Sequence, residues 1–179
     1  VFSKENFVYY NSRKDSNERL GSGKGERKPM EDRDRLLAVV RDLLTSQRLA
    51  VMATQSQGQP YTNLMAFAAT EELRHVILAT TRATRKFANL LADPRVALLV
   101  DSRANDPRDF TEAAAVTLLG RAWELQGRER QPYLELYLAK HPYLADFVAQ
   151  PACALLRLSV ERLILVTRFQ EVHQLYLGP

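Results

Sequence analysis

The chain is poor in the residues that most often announce a function. It holds a single cysteine, Cys153, so no internal disulfide can form. That cysteine lies in an apolar run, which points to a buried structural thiol rather than a nucleophile. The seven glycines are scattered, and they form neither a Walker A loop nor a dinucleotide-binding GxGxxG. Three histidines, His75, His141 and His173, stand far apart without metal-ligand spacing and read as structural, at the surface or at strand ends. No stretch approaches the ~18 consecutive apolar residues of a membrane helix. The first residues lack the charged-then-apolar pattern of a signal peptide. No Ser/His/Asp or Cys/His arrangement can be argued from spacing, so the sequence identifies no catalytic residue and no metal site. The expectation is a cytoplasmic protein with no membrane contact, whose chemistry is carried by a cofactor.

Charge is present but unevenly placed. The formal net charge is +4, and residues 1–30 hold seven basic against four acidic side chains, leaving 18 and 17 in the rest. A basic tail on a near-neutral body is not the footprint of a nucleic-acid surface, so no nucleic-acid partner is expected.

The organisation follows from local patterns. Residues 1–29 form a polar arm with a flexible Gly21-Ser22-Gly23-Lys24-Gly25 link. Its aromatics Phe2, Phe7, Tyr9 and Tyr10 are costly to leave in water, so the arm should dock on the body or on a partner chain. Residues 30–179 form one domain. Leu36, Leu37, Val40, Leu43 and Leu44 share one face of a helix beginning near Asp32. Leu49–Thr54 and Tyr61–Ala69 read as strands joined by a hairpin turn at Ser56-Gln57-Gly58-Gln59-Pro60. Val76–Ala79 follows after another short turn, and three strands so joined make an antiparallel meander. Further strands are expected at Val96–Val100, Ala114–Leu125, Ala154–Leu158 and Leu163–Val166. Helices are expected around Phe87–Leu91 and over Arg128–Lys140, and Gly120 marks a bulge or bend. At least six strands with three helices describe a mainly β fold with flanking α-helices, a small antiparallel barrel. Val96–Val100 is apolar on both faces, so its outer face must be covered by helices or by a second subunit.

One stretch concentrates polar chemistry. Thr80-Thr81-Arg82-Ala83-Thr84-Arg85-Lys86 joins a buried strand to a helix and carries three hydroxyls and three cations. A helix start already has unpaired N–H groups and a positive dipole end, so cations there are unfavourable unless an anion neutralises them. A phosphate would do so, taking N–H, hydroxyl and guanidinium donors together. The alternative is a solvated basic turn with Thr84 as N-cap.

Over about residues 32–166 the order and spacing of these pieces resemble the FMN-binding split barrels related to pyridoxamine 5′-phosphate oxidase. The resemblance is carried by Leu49–Thr54, by Gly58-Gln59-Pro60 leading into Tyr61-Thr62-Asn63-Leu64, by Leu78–Lys86 with Asn89-Leu90, by Asp93-Pro94-Arg95-Val96-Ala97-Leu98-Leu99, and by the strand bearing Gly120 and Arg121. It implies a six-stranded antiparallel split β-barrel, a homodimer, and FMN in grooves at the dimer interface. Arg85 and Lys86, with Arg82 and Thr84 nearby, would hold the FMN phosphate. Thr80 and Thr81 would line the ribityl chain and ring, and Thr62, Asn63, Leu64 and Met65 would meet the ring edge. The activity implied is that of a flavin-dependent oxidoreductase acting with a small-molecule electron donor or acceptor. The alternatives are a non-catalytic flavin or haem carrier and a haem-degrading oxygenase of the same fold. From Tyr137 through Phe169 the chain looks like the haem-degrading and haem-binding branch, but Lys86 stands where that branch has a histidine, and Thr167-Arg168 stand where it has glycines.

Overall fold

The computed structural model describes residues 7–10, 29–168 and 171–177. Helix α1 (Pro29–Ser46) leads into strands β2 (Leu49–Ser56), β3 (Gln59–Ala69) and β4 (His75–Thr81). Helix α2 (Arg85–Ala92), strand β5 (Arg95–Asp101), the short α3 (Asp109–Glu112) and strand β6 (Ala115–Glu124) follow. A 3-10 turn then enters α4 (Arg130–Lys140), and a second one joins it to α5 (Ala145–Ala149). Strand β7 (Cys153–Thr167) and strand β8 (Glu171–Tyr176) complete the chain, and a strand β1 (Phe7–Tyr10) precedes α1.

The expected meander is present. Strand β2 pairs with β3 across the two-residue turn Gln57-Gly58, whose φ values of 50° and 82° are those of a type I′ hairpin. Antiparallel pairing then runs β7-β4-β3-β2-β5-β6, and a further β6–β7 ladder closes the ring into a six-stranded antiparallel barrel. The two segments expected at 154–158 and 163–166 are one strand of 15 residues. Its first half pairs with β4 over Cys153–Ser159, and its second half pairs with β8 over Arg162–Thr167. The register shift between Leu119 and Gly120 skips Glu161 on the facing strand, a bulge that lets β7 bend from one neighbour to the other. Gly120 is required there, because a Cβ at this position would collide with the Ser159 carbonyl oxygen.

Strand β8 and helix α5 were not legible in the sequence. Within the arm, the described residues Phe7–Tyr10 form β1, whose backbone pairs parallel with β8. Phe2 and the side chains of Phe7, Tyr9 and Tyr10 lie outside what is described.

Two apolar clusters hold the fold. Inside the barrel, Met52, Phe67, Val76, Leu78, Leu98, Leu118, Leu158 and Leu163 are fully buried. The stripe Leu37, Val40, Leu43 and Leu44 of α1 joins this cluster against β3, β5 and β6, and Phe87 and Leu90 of α2 join it against β2 and β6. The second cluster lies outside, where Ala68, Ile77, Ala79 and Leu155 meet Tyr137 of α4 and Val148 of α5. This is why β4 is buried on both faces. Among the described residues no such layer covers the outer face of β2 and β5, where Val51, Ala53, Ala97 and Leu99 are only half-buried. Beside them on β3, Leu64 is 67% exposed.

Candidate functional site

The Thr80–Lys86 stretch sits where β4, α2 and the α4–α5 layer converge. Thr80 and Thr81 end β4 and pair with Ala154 and Cys153 of β7. The Arg82 backbone N–H donates to the Ala152 carbonyl at 2.9 Å, so the turn into α2 is anchored on both sides. Thr84 occupies the N-cap position of α2 with an extended backbone, φ −101° and ψ 151°. Its hydroxyl does not cap the helix. It donates instead to the Thr81 carbonyl at 2.9 Å and lies 3.2 Å from the Thr80 hydroxyl. The opening N–H groups of α2 therefore lack a side-chain cap, and no acidic residue stands in the first turn. A helix start of this kind is electrostatically compatible with an anion.

Beside this turn opens a groove of about 360 Å³. Of the ten residues proposed from the sequence, it brings six together as lining: Leu64, Met65, Thr80, Thr81, Thr84 and Lys86. The other four lie around it. Thr62 is exposed on β3, cross-strand from Ala53. Asn63, cross-strand from Met52, keeps a buried Oδ1 with no hydrogen-bond partner among the described residues. Arg85 is exposed, with its guanidinium 4.9 Å from the centre of the Tyr61 ring. Arg82 turns away: it forms an ion pair with Glu124 and donates through Nη1 to the Pro151 carbonyl at 2.6 Å. The Glu124 hydrogen bond holds the Arg82 guanidinium above its ordinary pKa. Lys86 is thus the cation that lines the groove.

The opposite wall comes from a part of the chain that the Thr80–Lys86 motif does not announce. Tyr137 on α4, and Leu144 and Phe147 at and in α5, face Ala66 and Ala79 across the groove. Tyr137 is 1% exposed, and burial pushes its hydroxyl pKa up. No hydrogen bond holds that hydroxyl among the described residues. Behind it, His141 is fully buried, its ring centre 5.1 Å from that of Tyr137. Nε2 of His141 lies 2.8 Å from the Phe67 carbonyl, which can only accept, so Nε2 carries the proton. Nδ1, 2.9 Å from the Tyr143 hydroxyl, then accepts from it. Burial lowers the His141 pKa and keeps the ring neutral. Its role is structural, as expected, although it lies in the interior rather than at the surface. The Cys153 thiol is likewise buried, and burial pushes its pKa up.

Among the described residues the only titratable side chains lining the groove are Lys86 and Tyr137. Histidine, aspartate and glutamate are absent from that lining, and no group of three or more metal-ligating residues occurs among the described residues. The groove can hold an anion at its Lys86 end and a flat apolar body between Leu64 and Phe147, with hydroxyls from Thr80, Thr81 and Thr84 to orient it. No described helix is long and apolar enough to cross a membrane.

Comparisons with known proteins find the same fold. A haem-binding protein from Mycobacterium smegmatis has the same fold, with TM-score 0.69 and 18% identity over 85% of this chain. This chain spans 60% of that protein's length. A FAD-binding protein from Mesorhizobium loti superposes with TM-score 0.58 and 19% identity over 72% of this chain and 91% of its own. A general-stress-protein-26 relative of the pyridoxinephosphate oxidase family, from Clostridium acetobutylicum, gives TM-score 0.63 and 17% identity over 80% and 96%. At such identities the likeness is one of fold. No curated protein sequence matches the chain. The family model for pyridoxamine 5′-phosphate oxidase matches residues 36–167, from the apolar stripe of α1 to the end of β7, and the chain belongs to that family.

Proposed function

We propose that the groove binds FMN, that it lies at the interface of a two-fold homodimer, and that the protein is a flavin-dependent oxidoreductase. The observation that carries the reading is a single groove uniting Lys86, the uncapped α2 start and an apolar slot. Lys86 and the N–H groups of α2 would hold the phosphate, with Arg85 beside them. Thr80, Thr81 and the Thr62–Met65 strand would orient the ribityl chain and ring. Bound FMN supplies two-electron chemistry with a small-molecule donor or acceptor. The chain's own part is to bind, orient and exclude water. One compact phosphate cradle favours FMN over a dinucleotide.

The homodimer is supported by the open outer face. Leu64, Val51 and Leu99 stand cross-strand from one another in one row, and a second copy would cover them. The buried free thiol suits the reducing cytoplasm.

A charge-assisted hydrogen bond is worth about 1.5–3 kcal/mol, so Lys86→Ala should weaken FMN binding roughly 10- to 150-fold. Arg82→Ala should not, since Arg82 is engaged by Glu124. Stoichiometric yellow flavin in the Lys86→Ala protein, or a colourless wild type that takes up no FMN, would sink the assignment.

A second reading, a flavin carrier without turnover, is favoured by the lack of carboxylate or imidazole in the groove lining. Bleaching of bound flavin by NAD(P)H, followed by reoxidation at a catalytic rate, separates the two. A haem reading is weaker, because His141, behind Tyr137, has both ring nitrogens engaged.

A further inference from the structure

A second cleft, of about 440 Å³, opens between α1 and α4 above the end of β3. It shares no lining residue with the groove. Leu44, Ala68, Leu73 and Leu136 give it apolar walls, and Lys140 lies among them. The Lys140 ammonium donates to the Leu44 carbonyl at 2.6 Å and stands 3.9 Å from the centre of the Phe67 ring. Both contacts favour a cation, yet neither carries a negative charge. No carboxylate pairs with Lys140 among the described residues. Burial first, and then the neighbouring Arg48, lower its pKa to about 8. Arg41 opens on the same cleft, where the sole acid is the exposed Glu71.

A half-buried ammonium without a counter-ion is costly, and the cost falls when a carboxylate meets it in an apolar surround. The Leu44 carbonyl takes one of its three N–H donors, so two remain. The volume lies in the range of small-ligand sites, about 300–1,000 Å³. We propose that this cleft binds a small carboxylic acid with a short apolar body, its carboxylate on Lys140 and its chain against Leu73 and Leu136. An amine of the same shape meets Lys140, Arg41 and Arg48 and is repelled. An alcohol of the same shape leaves the ammonium uncompensated.

The probes are hexanoate, hexanol and hexylamine, titrated calorimetrically into the full chain at neutral pH. Hexanoate should bind saturably and at least about tenfold tighter than hexanol, with no binding of hexylamine. Lys140→Met should weaken hexanoate binding by about tenfold or more, and Lys140→Arg should retain most of it. Leu136→Trp, which fills the cleft and keeps the charge, should abolish it and decides the question if Lys140→Met does not fold. Near pH 8 hexanoate binding should take up protons, because the paired ammonium holds its proton more tightly. FMN uptake should be unchanged in every variant, which keeps this site separate from the flavin reading. Equal affinity for hexanol and hexanoate, or hexanoate binding unaltered by Leu136→Trp, would overturn the proposal.

Discussion

Replacing Leu64 by alanine should dissociate the proposed dimer. Leu64 is 67% exposed on the outer face of β3, in register with Val51 and then Leu99. Fully burying a leucine stabilises by roughly 1.5–3 kcal/mol, so covering the two-thirds of Leu64 still open contributes about 1–2 kcal/mol per copy. A two-fold axis uses each residue twice. The variant should therefore lose about 2–4 kcal/mol of association free energy, or roughly 30- to 1,000-fold in Kd. Sedimentation velocity from nanomolar to micromolar protein measures this directly. Leu64 also lines the groove, so Leu99→Ala is the companion variant. Leu99 stands in the same row on β5, outside the groove lining. It should weaken the dimer, yet bind FMN normally at protein concentrations that restore it. Leu91→Ala, on α2 and 75% exposed, lies outside the row and should leave Kd unchanged. A wild type that is monomeric at micromolar concentration, or Leu64→Ala and Leu99→Ala variants that dimerise as the wild type does, would refute the reasoning.

Two further expectations concern stability. Burial lowers the folded-state pKa of His141 below its ordinary 6.5, so the unfolded chain binds more protons there and stability should fall as pH drops below 6.5. Thermal melts between pH 7.5 and 5.5 should show the loss, and His141→Gln should flatten it; an unchanged slope would remove His141 as the cause. Gly120→Ala drives a methyl group into the Ser159 carbonyl at the bulge and should destabilise by about 1–3 kcal/mol or more. Chemical denaturation checks it, and a loss below about 0.5 kcal/mol, the size of an ordinary surface substitution, would contradict the close approach.

What the sequence determined by itself is the local architecture. The stripe of α1, the Gln57-Gly58 hairpin and the β2-β3-β4 meander follow from periodicity and turn chemistry, both of which act over a few residues. The basic, acid-free start of α2 was legible for the same reason. The tertiary structure decided what depends on distant neighbours. Residues 154–166 look like two strands, yet they run as one because β4 and β8 pair with successive halves of β7 across a bulge made possible by Gly120. Arg82 reads as a phosphate ligand until Glu124, 42 residues away, takes its guanidinium. The far wall of the groove, Tyr137, Leu144 and Phe147, arrives only when α4 and α5 pack on the outward side chains of β3, β4 and β7. Periodicity marks which face of a helix is apolar, but not which surface it will cover. A charge in the sequence carries no record of the partner that folding brings to it.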